Sequence, residues 1–169
     1  MNGQRILKRF QPDGKETIIR YATADDLEGI LEVGGKEQQI NLSVRVSWVM
    51  QLRTAKIVLV AEVEGKIRGV IIVSSIPAKY HVCYAPWWVW TIGVTQEFRR
   101  FGIGTALIQT ALYQAKRTLE AKLIGLRVKQ FHPVISLYKK CGFKKVRIRE
   151  IDRERFSELK EAVIMVKNL

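Results

Sequence analysis

The 169-residue chain is poor in cysteine, in long apolar runs and in acidic side chains. Its two cysteines, Cys83 and Cys141, have no close spacing. That excludes a zinc-finger pattern and a disulfide framework, so no metal is expected. A reducing, cytoplasmic setting is the default. No apolar run approaches the roughly 20 residues that a membrane helix needs. Met1–Phe10 is basic and polar and lacks the apolar centre of a signal peptide, so no membrane partner is expected. Acidic residues number 16 against 29 Lys plus Arg, a formal net charge of +13. Such a surplus favours polyanionic partners (nucleic acid, an acidic protein surface, a phosphate-rich cofactor) and equally suits a well-solvated surface.

What remains is an ordinary globular composition, 47% hydrophobic and 27% charged. The length suits one domain, spanning residues 1–169. Its centre is Trp87–Lys116. Trp88, Val89, Trp90, Ile92 and Val94 form a β-prone run of strand length. The basic glycine turn Arg99-Arg100-Phe101-Gly102-Ile103-Gly104 follows at once. Leu107, Ile108, Ala111, Leu112 and Ala115 then share one helical face. Glycine at 102 and 104 permits positive φ and close backbone approach. The first N–H groups of a helix lack internal partners, and with the dipole they favour an anion. Arg99–Thr105 therefore reads as a phosphate cradle; the same glycines also suit a plain tight turn. No Gly-Lys-Ser/Thr follows, which excludes a P-loop. The third glycine and the later acid of a dinucleotide fingerprint are missing too.

Arg99-x-x-Gly102-x-Gly104 resembles the Arg/Gln-x-x-Gly-x-Gly/Ala signature of the GNAT N-acetyltransferase superfamily. Leu137-Tyr138-Lys139-Lys140-Cys141-Gly142-Phe143 looks like its second signature, Leu-Tyr-x-x-x-Gly-Phe. The ending Glu161–Met165 is similar to the tail of ribosomal-protein-type N-terminal acetyltransferases. The resemblance covers nearly the whole chain from about Thr17. It implies acetyl-CoA as cosubstrate and transfer of its acetyl group directly to a primary amine. The amine could be a protein N-terminus, a lysine or a small molecule. Ile92, Gly93 and Val94 would hold the pantetheine arm, and Arg99, Arg100, Phe101, Gly102, Ile103, Gly104 and Thr105 the pyrophosphate. Tyr138 would be the general acid, although its place on an apolar stripe also suits a core tyrosine.

Two positions depart from the family pattern. Phe131 stands where members often carry a cofactor-contacting Asn. The central strand carries Trp87, Trp88 and Trp90 and lacks the Glu that many members use as base. His81, Tyr84, His132 and Glu62 remain as candidate bases, His81 first because of its pKa range. Trp48, Trp87, Trp88 and Trp90 suit an acceptor pocket or a core. Cys141, one turn beyond Tyr138, reads as packing. A non-catalytic CoA-binding domain and a basic nucleic-acid-binding module are the alternatives, and either a monomer or a homodimer is compatible.

The remaining chain predicts strands at Glu16–Tyr21, Ile57–Val63, Ile67–Ser75, Leu123–Val128, Lys144–Arg149 and Ala162–Val166. Helices are expected from the Thr23 cap to about Val33, from Ser43 to Leu52, and from Pro133 to Cys141. Asp152–Glu161 reads as a polar loop or helical turn. The order β–α–α–β–β–β–α–β–α–β–β is that of the GNAT fold, an α/β (α+β) mixed sheet of about seven strands with helices on both faces. The hairpin at Glu64-Gly65 favours it over a doubly wound parallel sheet.

Overall fold

The computed structural model describes residues 5–35, 52–53, 55–75, 85–155 and 157–169. Its strands are β1 Ile6–Phe10, β2 Thr17–Tyr21, β3 Ile57–Val63, β4 Lys66–Ser75, β5 Trp87–Val94, β6 Leu123–Lys129, β7 Lys144–Val146 and β8 Ala162–Asn168. They form one eight-stranded sheet in the order β1-β2-β3-β4-β5-β6-β8-β7. Every neighbouring pair is antiparallel except β5 and β6. Its described helices include α1 Leu27–Gly35, α2 Ile103–Thr118, α3 Ile135–Lys140 and α4 Glu150–Arg155.

Local chemistry accounts for most of these elements. The β3–β4 hairpin closes through Glu64 and Gly65, both left-handed at φ 51° and 74°. Two positive-φ residues match the twist of paired strands. The apolar stripe of α2 packs on one face of the sheet with Ile71, Val89, Ile124, Leu126 and Met165. Tyr138, Cys141 and Phe143 join the same cluster. Buried Gln114 of α2 is satisfied there, accepting a hydrogen bond from the Tyr21 hydroxyl at 3.1 Å. On the opposite face Ile30 of α1 packs on Val60, Val70 and Ile72. Further along that face Trp88, Ile148, Leu159, Ala162 and Ile164 form a second cluster.

The start of α1 is tied down by charge. Arg20 and Asp26, 4% and 7% exposed, form a two-pronged ion pair at 2.7 and 2.8 Å. Arg20 also donates to Glu62 through Nε at 2.9 Å. Asp26 accepts the Thr23 backbone N–H at 2.7 Å, half of a capping box.

Two expectations need adjustment, the strand count and the end of the strand at Lys144. The sheet has eight strands because β1 precedes the first expected one. This edge strand is mostly exposed and so carries no alternating apolar face to reveal it. The strand expected over Lys144–Arg149 stops at Val146, and Asp152–Glu161 includes part of α4 and a short 3-10 turn at Ser157–Leu159. The helix expected over Ser43–Leu52 lies outside the described residues, apart from Leu52 at its end.

Candidate functional site

The site begins where two strands part. β5 and β6 pair only at Trp87↔Ile124, Trp88↔Gly125 and Val89↔Leu126. Beyond them β5 continues to Val94 and β6 to Lys129 without pairing to each other. On its other side β5 keeps its ladder with β4 as far as Gly69↔Val94. In an antiparallel ladder alternate backbone groups turn away from the partner. Those of Thr91–Val94 therefore open into the seam between β5 and β6.

Trp90 sits at the point of separation as an extra residue. Ile72 faces Thr91 and Val73 faces Val89, so Trp90 has no opposite number on β4. Such a bulge bends its strand and interrupts pairing. It also resets the alternation: Val89 and, past the bulge, Ile92 and Val94 all pack with the α2 cluster. Gly93 turns to the other face. A Cβ there would lie 3.0 Å from Val33 Cγ1, so a bare backbone lets α1 lie close to β5.

The turn after β5 carries the second part of the site. Arg100 and Gly102 are left-handed at φ 73° and 82°. Consecutive turns of this kind curl backbone N–H groups towards one concave side. Gly102 is the N-cap of α2, with no side-chain cap. Its carbonyl accepts the Ala106 N–H at 2.9 Å, the first bond of the helix. Among the described residues no acceptor meets the N–H groups of Ile103, Gly104 or Thr105. A 16-residue helix thus presents an uncapped positive end beside the seam. Such an end fits a diphosphate. Gly104 seats it: a Cβ there would lie 3.3 Å from Leu137 of α3 and 3.8 Å from Val94. Arg99 braces the turn, its Nε donating to the Val94 carbonyl at 3.0 Å, and Arg100 is exposed.

Tyr138 stands on α3, 7% exposed, edge-on to Phe143 with ring centroids 5.9 Å apart. Its hydroxyl has no hydrogen-bond partner among the described residues. Burial first, and then the neighbouring Cys141, push its phenol up to about 12. Cys141 is buried, and burial raises its thiol against the opposing pull of Lys167. A thiol so placed is a packing group and a poor nucleophile.

The candidate bases divide. His81 and Tyr84 lie outside the described residues, as does Trp48. Glu62 is engaged by Arg20 at 2.8 Å. His132 uses Nδ1 to accept the Val134 N–H at 3.2 Å, at the start of α3. Phe131 is 89% exposed and left-handed at φ 69°. Asn tolerates that conformation far better than Phe. Trp88 is core, its Nε1 donating to the Ala85 carbonyl at 2.8 Å, whereas Trp90 is partly exposed at the bulge.

Two residues at the seam escaped the sequence reading. Arg127 and Lys129 of β6 are exposed and alternate with buried Leu126 and Val128. The alternation was legible in Leu126–Lys129, but the loss of the β5 partner was not.

Known proteins resemble the chain in sequence and in fold. The family model of the acetyltransferase (GNAT) domain matches residues 54–145. An N-alpha-acetyltransferase of Sulfurisphaera tokodaii is 31% identical over 149 residues, covering 80% of this chain and 84% of the relative. A ribosomal-protein-alanine N-acetyltransferase of Brucella melitensis superposes with a TM-score of 0.66 at 21% identity, covering 89% of this chain and 99% of that one. The PaiA N-acetyltransferase of Thermoplasma acidophilum, solved in complex with coenzyme A, gives 0.63 at 19% identity, over 90% and 99%. The chain belongs to the GNAT acetyltransferase family and is an N-acetyltransferase. Among the described residues no helix is long and apolar enough to cross a membrane, and no cluster of His, Cys, Asp or Glu could hold a metal ion.

Proposed function

We propose that this chain transfers the acetyl group of acetyl-CoA directly to the α-amine of a protein N-terminus. The observation that carries the reading is the uncapped α2 N-terminus beside a seam that opens at a bulge. The relatives named N-alpha-acetyltransferase support the choice of amine.

Each part of the site has a distinct task. The N–H groups of Ile103, Gly104 and Thr105 grip the diphosphate, with Arg99, Arg100, Phe101 and Gly102 shaping the turn. Backbone groups of Ile92, Gly93 and Val94 hold the extended arm in the seam, and one N–H there polarises the thioester carbonyl. Phe131 borders the arm from the β6 side. Acetyl-CoA, when bound, supplies an acyl group whose thiolate leaves when a neutral amine attacks. Most of the rate then comes from alignment.

Tyr138 donates to the sulfur as negative charge develops there. With a phenol at about 12 and a thiol near ~8.5, complete proton transfer is uphill by roughly 5 kcal/mol. The hydrogen bond, more than the transferred proton, is therefore its contribution. The base that takes the amine proton is His81 or water.

Thermal denaturation with acetyl-CoA, coupled to a free-thiol assay on N-terminal peptides, tests the reading. Saturating cosubstrate raises Tm by mass action, and peptides with free α-amines release thiol. No shift together with no release on any amine would overturn it.

A further inference from the structure

The two faces of the seam differ in what they admit. α2 and α3 pack with the cluster that contains Val128, Ile92 and Val94, so they cover the first face. On the second face Val33 of α1 lies against Gly93 and covers the β5 side. The β6 side of that face carries Arg127 and Lys129. Their register partners on β8, Ile164 and Ala162, belong to the cluster of the second face. Cross-strand partners share a face of the sheet, so both cations stand over this cluster. Their stems cover apolar surface and their charged ends reach water.

Both side chains are exposed, and neither forms an ion pair among the described residues. Glu161, beside Ala162 at the start of β8, is the adjoining carboxylate; its backbone carbonyl accepts the Gln130 N–H at 2.8 Å, and its side chain pairs with neither cation. Two cations two residues apart on one strand are spaced about 7 Å along it. That is the spacing of alternate residues in an extended peptide lying alongside.

We infer that the acceptor is a peptide with acidic residues just after its reacting amine, and that Arg127 and Lys129 select it by holding those carboxylates. The inference rests on the N-terminal acetyltransferase reading. Arg127 can grip a carboxylate in two-pronged fashion, and Lys129 adds a point charge. The surplus of 13 positive charges draws the same peptides in from a distance.

The test uses three fluorescent peptides that share a free N-terminal serine and differ in the next four residues: acidic, neutral or basic. Anisotropy in the presence of CoA reads binding, and thiol release reads transfer. The acidic peptide binds about tenfold more tightly than the basic one at low salt, and the ratio shrinks as salt rises. In Arg127→Glu/Lys129→Glu the order inverts while KM for acetyl-CoA is unchanged. Equal affinity for all three, or an order unchanged in the variant, overturns the inference. An oligouridylate that binds more tightly than the acidic peptide and is lost in the variant also overturns it, making the patch a nucleic-acid surface. Absence of turnover would sink the enzymatic reading by itself. The binding series decides the inference independently.

Discussion

Replacement of Arg20 by methionine isolates the buried ion cluster beneath α1. The substitution keeps an unbranched apolar stem and removes a guanidinium that donates to Asp26 at 2.7 and 2.8 Å, to Glu62 at 2.9 Å and to the Tyr21 carbonyl at 3.2 Å. Glu62 is partly exposed and recovers water. Among the described residues Asp26 then retains only Thr23, through its N–H at 2.7 Å and its hydroxyl at 3.1 Å. A buried charge stripped of its partner costs about 3–5 kcal/mol. At this chain length that lowers Tm by about 10 °C.

The pH dependence supplies the signature. Burial alone would raise the Asp26 carboxyl, but the Arg20 hydrogen bonds and the Thr23 N–H outweigh it and hold it below its ordinary value of 3.8. In the native protein its contribution is present above that value and is lost as pH falls through the lower folded pKa. Without Arg20, burial pushes the carboxyl up, so the penalty is full at neutral pH and fades as pH falls through the raised pKa. The Tm gap between the two proteins is therefore widest near neutrality and narrows below about pH 5. Arg20→Met/Asp26→Asn/Glu62→Gln, which carries no charge in the cluster, regains much of the loss. Scanning calorimetry across pH reads all three proteins. A loss under about 1 kcal/mol, or a gap that ignores pH, would refute the reasoning.

Other outcomes follow from single sites. Tyr138→Phe keeps the ring contact with Phe143 and so leaves Tm nearly unchanged, while kcat falls by about 10²-fold with KM for acetyl-CoA preserved; an unaltered kcat would remove the hydroxyl from the reaction. Because that phenol lies at about 12, the native pH–rate profile has no falling limb from it between pH 7 and about 10. Gly102→Ala meets no atom within 4 Å but must hold φ 82°, so it costs about 1–2 kcal/mol of local strain and weakens acetyl-CoA binding about tenfold in calorimetry. Phe131→Asn relieves a left-handed phenylalanine and removes little packing, since the ring is 89% exposed; Tm rises slightly.

Sequence pattern carried far where a residue's neighbours along the chain decide its structure. The Gly102–Thr105 turn, the α2 stripe, the Thr23 start and the Glu64-Gly65 hairpin all depend on local rules of φ, capping and periodicity. What stayed hidden depends on residues distant in sequence. The position of β1 at an edge leaves Ile6–Phe10 mostly exposed, so its strand character comes from pairing with β2 alone. Glu62 looked available for catalysis until Arg20, 42 residues earlier, was seen to occupy it. The face of Trp88 could not be read from its neighbours, because the run Trp87–Val94 changes parity inside itself. The same holds for Arg127 and Lys129, whose significance depends on where a neighbouring strand departs.

The surplus tryptophan in β5 makes the opening a matter of counting. A strand distributes its side chains left and right in strict succession, so one supernumerary residue exchanges the destinations of all that follow. Ile92 and Val94 reach α2 only because the tally between Val89 and Ile92 is one too many. Lengthening an outer hairpin changes a loop, whereas shortening these few residues would send isoleucine and valine to the wrong wall and turn glycine's bare side towards α2. Natural variation in chain length should therefore be absent from this interval, however freely the side chain at position 90 itself is exchanged.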